Sequence, residues 1–189
     1  MNKLLVLIVL GLILSLLSGP SLVNAEIKLI PPKRWQPDAD NNQDIKWWYQ
    51  NSTKSSFGIN KAPANGSFPL SLPLALIGPS MAQGLADRGI LESTDQITFG
   101  HSNYGYRYFL NISDPSKQVN TSDFAQPGSV VDLIRKGYDV PFRGMLILSQ
   151  KQGDLYAVVL LSPKENFDSV MKEIQPTIDS MELSNSTAN

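Results

Sequence analysis

Two apolar runs near the C-terminus constrain the fold more than any other feature of this sequence. Met145 to Leu148 and Leu155 to Leu161 consist largely of strand-forming residues, and the polar segment 150–154 between them contains Gly153. Apolar runs joined by a short polar segment predict a β-hairpin. The two strands of this hairpin offer an apolar surface on which a following helix can pack.

The segment after the hairpin predicts an amphipathic helix. Ser162 is a candidate N-cap, Pro163 suits the first helical position, and Glu165 completes a capping box. Pro176 is expected to bend this helix. Because an isolated helix of this length is marginal in water, we expect it to pack on the hairpin. The apolar positions recur with helical spacing at Phe167, Val170, Met171, Ile174, Ile178 and Met181.

The rest of the chain predicts further strands and helices. The expected elements are strands at 46–49 and 57–59, an apolar loop at 64–79, a helix over 79–91, a strand pair within 95–112 that turns at 101–103, and a short helix at 130–134. This order predicts an α+β fold, a mostly antiparallel sheet with helices packed on it.

The C-terminal hairpin and helix resemble the end of PsbP-like domains of the Mog1/PsbP superfamily. A strand at 155–161 leads through Ser162-Pro163 into a helix that ends near Ser180-Met181, and segment 55–59 with Pro63 is similar to the family's early strand. The resemblance covers roughly a third of the mature chain, and residues 68–91 do not match. It implies an α-β-α sandwich and a non-enzymatic binding or scaffold role. No functional residue of the family carries over.

The N-terminus has the order of a secretory signal. Lys3 precedes an apolar run from Leu4 to Leu17, about 14 residues long, and Val23 and Ala25 are the small residues of a cleavage site. A bilayer span needs about 20 residues, so an uncleaved membrane anchor is the alternative. We therefore expect a signal peptide at 1–25, a flexible linker at 26–44, one globular domain at 45–184 and a polar tail at 185–189. Truncating the linker is expected to cost little stability.

Glycosylation sequons fit an extracytoplasmic, secreted or cell-surface location, although a polar surface rich in Asn, Ser and Thr explains them equally well. Membrane contact is expected only if the N-terminal segment remains uncleaved. The candidate acceptors are Asn51, Asn65, Asn111, Asn120 and Asn185.

Composition excludes several kinds of chemistry. The chain has no cysteine, which rules out disulfides and thiolate sites, and its net charge of −1 gives no basic face for nucleic acid. His101 is the single histidine, and its setting is typical of a turn rather than of a catalytic triad. Asp38, Asp40, Asn42 and Asp44 alternate like the ligands of a calcium loop, but Gln43 and Tyr49 stand where that loop needs Gly and Glu, which favours a solvated linker. No cofactor is expected.

One tyrosine-rich segment is a candidate binding platform. Tyr104, Tyr106 and Tyr108 alternate beside Arg107, and alternation along a strand places the three rings on one face. Such a face binds sugars or peptides through stacking and cation–π contacts. The alternative is that this face packs beneath a helix while hydroxyls reach the edge of the sheet.

These observations favour an exported, non-enzymatic binding or accessory domain whose partner is an envelope protein or a glycan. The alternatives are a secreted or envelope-associated hydrolase that acts on glycans, and a structural component of the cell envelope. Whether the chain is an enzyme stays open, with the scattered carboxylates and the single histidine favouring a non-enzymatic role.

We predict that the exported protein begins at Glu26, because small residues at Val23 and Ala25 follow a short apolar run and the Gly19-Pro20 break. Mass spectrometry of protein recovered from outside the cytoplasm tests this. Recovery of the full-length chain in the membrane fraction would instead establish an uncleaved anchor.

Overall fold

A seven-stranded antiparallel sheet with one helix on each face forms the body of the molecule. The computed structural model describes residues 27–39, 41, 45–62, 72–114, 140–151 and 154–183. Their elements are β1 (Ile27–Lys28), β2 (Gln36–Pro37), β3 (Ile45–Gln50), β4 (Ser55–Ala62), α1 (Leu74–Asp87), β5 (Leu91–Phe99), β6 (Asn103–Ile112), β7 (Phe142–Lys151), β8 (Asp154–Pro163), α2 (Phe167–Asp179) and β9 (Glu182–Leu183). The short helix expected at 130–134 lies outside the described residues.

The strand order places the predicted hairpin at the middle of the sheet. The order is β2-β3-β4-β8-β7-β6-β5, and β1 pairs with β9 in a separate two-stranded sheet. Every described pair is antiparallel. The predicted α+β class, a mostly antiparallel sheet with helices packed on it, is confirmed.

Both faces of the central strands are buried, each in a different core. Along β8, Leu155, Ala157, Val159 and Leu161 face α1, while Tyr156, Val158 and Leu160 face α2. Successive side chains of a strand point to opposite faces, so a strand covered on both faces needs apolar residues at consecutive positions. The uninterrupted apolar run of the sequence is thus a consequence of the three-layer architecture.

Helix α1 begins at Leu74, within the segment predicted to be a loop, and contains Pro79 in its interior. Gln150 of β7 explains this start, because its Oε1 accepts a hydrogen bond from the Leu74 backbone N–H at 3.0 Å. Its Nε2 donates to the carbonyl oxygen of Leu72 at 3.3 Å. A cap supplied from a distant strand leaves no local pattern in the sequence.

Helix α2 begins at Phe167, later than the predicted capping box, and the expected N-cap Ser162 lies in β8 instead. Ser162 is buried, and its Oγ accepts a hydrogen bond from the Ser55 hydroxyl of β4 at 2.9 Å. Pairing with Arg143 of β7 extends the strand through this position. Strand pairing therefore overrides the local helix-start signal.

The described part of the predicted linker packs on the domain. Ile27 and Trp35 are only 2% and 6% exposed, and both lie in the core on the α2 face. The Trp35 Nε1–H donates to Glu173 of α2 at 3.1 Å. Truncation of this segment would uncover that core, which argues against the expectation that residues 26–44 contribute little to stability. No helix among the described residues is long and apolar enough to cross a membrane.

The apolar stripe of α2 yields a stability prediction. Phe167 is buried, with its ring against Phe109 at 6.3 Å and beneath the Arg143 guanidinium at 4.8 Å. Truncation of a buried phenylalanine costs about 3–5 kcal/mol, so Phe167→Ala should lower the urea midpoint strongly. Lys172→Ala on the exposed side of the same helix is the control and should be nearly neutral. Equal midpoints would show that the stripe does not carry the fold.

Candidate functional site

An open groove lies between helix α1 and the strands β5 and β6. Its volume is about 550 Å³, and we call it the α1 groove. Apolar carbon dominates its floor, while amide, hydroxyl and carboxyl groups stand along its rim. The lining residues are Gly78, Pro79, Ala82, Gln83 and Ala86 of α1 with Leu91, Thr94, Asp95, Gln96 and Tyr106 of the sheet.

Small residues at every fourth position of α1 shape this groove. Gly78, Ala82 and Ala86 lie one above another on a helix and leave space where larger side chains would stand. At one end the helix approaches the sheet closely, since a Cβ built on Gly78 would be 2.5 Å from the Tyr106 ring. The spacing was readable in the sequence, but a predicted helix start at 79 excluded Gly78.

A buried tyrosine fixes the height of α1 above the sheet. The Tyr108 side chain is fully buried, and its hydroxyl donates to the Gly78 carbonyl oxygen at 2.9 Å. Loss of hydration through burial, with the nearby Tyr106 as a lesser cause, raises the pKa of Tyr108 far above its usual range. Tyr108 therefore stays neutral and acts as a structural hydrogen-bond donor.

The remaining members of the predicted platform divide between the two faces. Tyr104 is 47% exposed and Tyr106 half-buried, and their rings meet edge to face at 6.1 Å. Gln96 Nε2 donates to the Tyr106 hydroxyl at 3.0 Å, which ties this pair to the groove rim. Arg107 lines a pocket on the opposite face. The structure thus brings Tyr104 and Tyr106 to one end of the groove and separates Arg107 from them.

A second, smaller pocket lies on the α2 side of the same strands. Its volume is about 310 Å³, and we call it the α2 pocket. Arg107 stands in it, donating through Nε to Asp95 at 3.0 Å and lying over the Phe109 ring at 5.0 Å. The lining residues are Ile97, Thr98, Phe99, Arg107, Met145, Ile147, Met171, Gln175, Ile178 and Asp179.

A second arginine joins β5 to the start of α2. Arg143 donates to both carboxylate oxygens of Glu92, at 3.0 and 2.8 Å, and to Asp168 at 3.1 Å. Paired and partly exposed groups of this kind position β5 and contribute little stability of their own. Both arginines therefore hold β5 carboxylates on the α2 side of the sheet.

His101 lies in the turn between β5 and β6, as expected for a turn residue. Its side chain is exposed, and its backbone N–H donates to the Met181 carbonyl oxygen at 2.9 Å. Gly100 has a φ of +52°, and a Cβ there would be 2.1 Å from the same oxygen. Among the described residues, no group of three or more His, Asp or Glu side chains is placed to hold a metal ion.

The alternating carboxylates of the leader are only partly described. Asp40, Asn42 and Asp44 lie outside the described residues, whereas Asp38 donates its backbone N–H to the Trp47 carbonyl at 2.9 Å. The neighbouring Asn41 also bonds the Trp47 backbone, through both atoms of its amide. The described part of this segment thus anchors to β3.

Two of the five sequons lie in described residues, in contrasting settings. Asn51 is exposed in the turn between β3 and β4. Asn111 lies within β6, opposite Arg143 of β7 in the strand register, and its Oδ1 is buried. Of these two, Asn51 is the accessible acceptor. Asn65, Asn120 and Asn185 lie outside the described residues.

Comparison with known proteins gives the fold a context. No protein-family model and no curated protein matches the sequence. Among solved structures, LpqN of Mycobacterium tuberculosis, involved in cell envelope biogenesis, matches with a TM-score of 0.51 and 9% identity over 88% of each chain. The cyanobacterial PsbP (CyanoP) of Synechocystis sp. PCC 6803 matches with a TM-score of 0.47 and 10% identity, over 88% of this chain and 96% of that one.

The Ran-binding protein Mog1p of Saccharomyces cerevisiae matches with a TM-score of 0.44 and 8% identity, over 85% of this chain and 96% of its own. This chain spans only 49% of a further matching structure, from Bacteroides thetaiotaomicron. At these identities the likeness concerns the fold alone. The predicted architecture, an antiparallel sheet between helices, is confirmed, and structures of PsbP and Mog1p are among those that match.

The close approach at Gly78 predicts an inverted substitution effect. Gly→Ala in a helix interior normally stabilises by about 1 kcal/mol, but here the new methyl group meets the Tyr106 ring, and overpacking costs about 1–3 kcal/mol. Gly78→Ala should therefore lower the urea midpoint, and the same substitution in a Tyr106→Ala background should raise it. Stabilisation by Gly78→Ala in both backgrounds would show that α1 does not rest on Tyr106.

Proposed function

We propose that this protein is an exported, non-enzymatic binding domain that captures a partner protein of the cell envelope or exterior. The observation that supports this most strongly is the α1 groove, whose small-residue floor and polar rim are suited to binding. The rim offers both hydrogen-bond donors and acceptors, from Gln83, Gln96 and the Tyr106 hydroxyl.

The aromatic pair at one end of the groove adds to this proposal. Tyr104 is exposed and its ring rests edge to face on Tyr106, whose own ring is held against Gly78. A tyrosine held in this way offers a large contact area at little entropic cost, which is common at protein-binding surfaces.

The proposed location rests on the N-terminal signal and on the sequons. LpqN shares the fold and is described as involved in cell envelope biogenesis, which agrees with a domain that works outside the cytoplasm. Cleavage after Ala25 would release the domain, and an uncleaved segment would tether it to the membrane.

The test uses a photo-crosslinking amino acid at Gln83, which is exposed on the rim of the α1 groove. In the native host the exported chain should form one discrete protease-sensitive adduct. Ala86→Trp, which fills the groove, should remove that adduct, and Ser80→Trp, at an exposed position on the side of α1 away from the groove, should keep it. Equal adducts from both variants at equal urea midpoints would contradict the proposal. A glycosidase-sensitive adduct would assign a glycan instead.

A further inference from the structure

The two edges of the seven-stranded sheet differ in how they are protected. At one edge β2 has two residues and includes Pro37, which lacks a backbone N–H. At the other edge β5 has nine residues, contains neither proline nor lysine, and pairs among the described strands with β6 alone. Short strands, proline, bulges and charged side chains, lysine above all, are the usual means of preventing an edge from pairing with another chain. By these measures β2 is the better protected edge of the described sheet, because β5 has only one bulge, at its start, and two carboxylates, Glu92 and Asp95.

Strand β5 is also regular over most of its length. Its single irregularity lies between Leu91 and Ser93, at the start of the strand. From Ser93, opposite Phe109, to Phe99, opposite Asn103, the pairing with β6 is continuous. A regular edge of this length presents a row of backbone donors and acceptors that an added strand can match.

The two pockets flank this edge, one on each face of the sheet. Residues 94–96 of β5 line the α1 groove, although Arg107 holds the Asp95 carboxylate on the α2 side, and residues 97–99 line the α2 pocket. Successive side chains of an added strand would point alternately to these two faces. Backbone pairing along β5 would therefore place alternate side chains at the two pockets at once.

The charges around β5 favour a basic partner. Among the described residues, five carboxylates lie on or beside this edge against three arginines, Arg88, Arg107 and Arg143, and although the last two already pair with three of the carboxylates, a surplus of two negative charges remains. Asp87 and Asp179 end the two helices and accept hydrogen bonds from the neutral amides of Gln83 and Gln175, both at 2.7 Å. Neither helix has a basic residue in its last turn, so the negative end of each helix dipole adds to these charges. The other carboxylates are Glu92, Asp95 and Asp168.

We propose that β5 accepts an extended, basic segment of the partner protein as an eighth strand of the sheet. This inference deepens the proposed function and rests on it. Backbone hydrogen bonds to β5 would supply affinity, as in other cases of strand addition. Apolar side chains on one side of the segment would enter the α1 groove, and a lysine or arginine on the other side would reach Asp179 in the α2 pocket. A second copy of this chain is disfavoured because two acidic edges would repel.

The test selects peptides without assuming a partner. A display library of random nonapeptides is panned against the mature full-length chain, and selected peptides are resynthesised with N-methyl groups at alternate residues. We expect enriched sequences that alternate apolar and other residues with a surplus of Lys and Arg. N-methylation should weaken binding at least tenfold at one set of alternate positions and little at the other, because only one edge of the added strand pairs with β5.

Charge variants provide the second readout. Asp179→Lys should weaken binding of the selected peptides several-fold at low salt and less at high salt, while Glu165→Lys, an exposed site before α2, should have little effect. Strand addition would be overturned if the selected peptides had helical spacing, carried a surplus of acidic residues or did not respond to N-methylation. It would also be overturned if no peptide were selected. If peptides that do not bind as a strand still bind the wild-type chain but not the Ala86→Trp variant, the proposal that the α1 groove binds a partner stands without strand addition. If neither Asp179→Lys nor Ala86→Trp weakens peptide binding and no crosslinked adduct forms at Gln83, both proposals fail.

Discussion

Burial of β8 on both faces is the constraint on which the rest of the structure depends. A strand with apolar side chains at successive positions exposes apolar surface to water unless both faces of the sheet are covered. The chain meets this requirement with α1 on one face and α2 on the other. The leader completes the cover, since Ile27 and Trp35 lie beside α2 in the same core. A fold with one covered face would leave half of the hairpin exposed.

Glycines allow this three-layer arrangement to close. The Trp47 ring lies directly over Gly58 on the neighbouring strand, where a Cβ would be 2.2 Å from the indole, and its Nε1–H donates to Asn60 at 3.0 Å. Gly78 likewise leaves room for the Tyr106 ring beneath α1, because it has no Cβ. The Trp47 and Tyr106 rings thus both fill space on the α1 face of the sheet, and the groove opens where the small residues of α1 continue past Tyr106.

The parts of the fold that the sequence predicts are those set by local pattern. The hairpin, the stripe of α2 and the β5–β6 turn follow from residues close together in the chain. The start of α1, the strand position of Ser162 and the docking of Trp35 do not, because Gln150, Ser55 and Glu173 supply the deciding contacts from far along the chain. The candidate site was predicted only in part, because Tyr104 and Tyr106 were candidate residues, whereas the inclusion of Gly78 in α1 depends on Gln150. Nothing local marks β5 as an edge strand, and the tyrosine pattern alone did not show that Tyr108 would be buried.

We expect the centre of the sheet to be the most stable part of the molecule and the β5 edge to be the part left available for binding. Native-state hydrogen exchange, read at single amides in the free mature protein, tests both claims together. The amides of β8 should exchange only through global unfolding, and the amides of β5 that point away from β6 should exchange orders of magnitude faster. Uniform protection of every β5 amide at the level of β8 would show that this edge is already covered and would contradict the account.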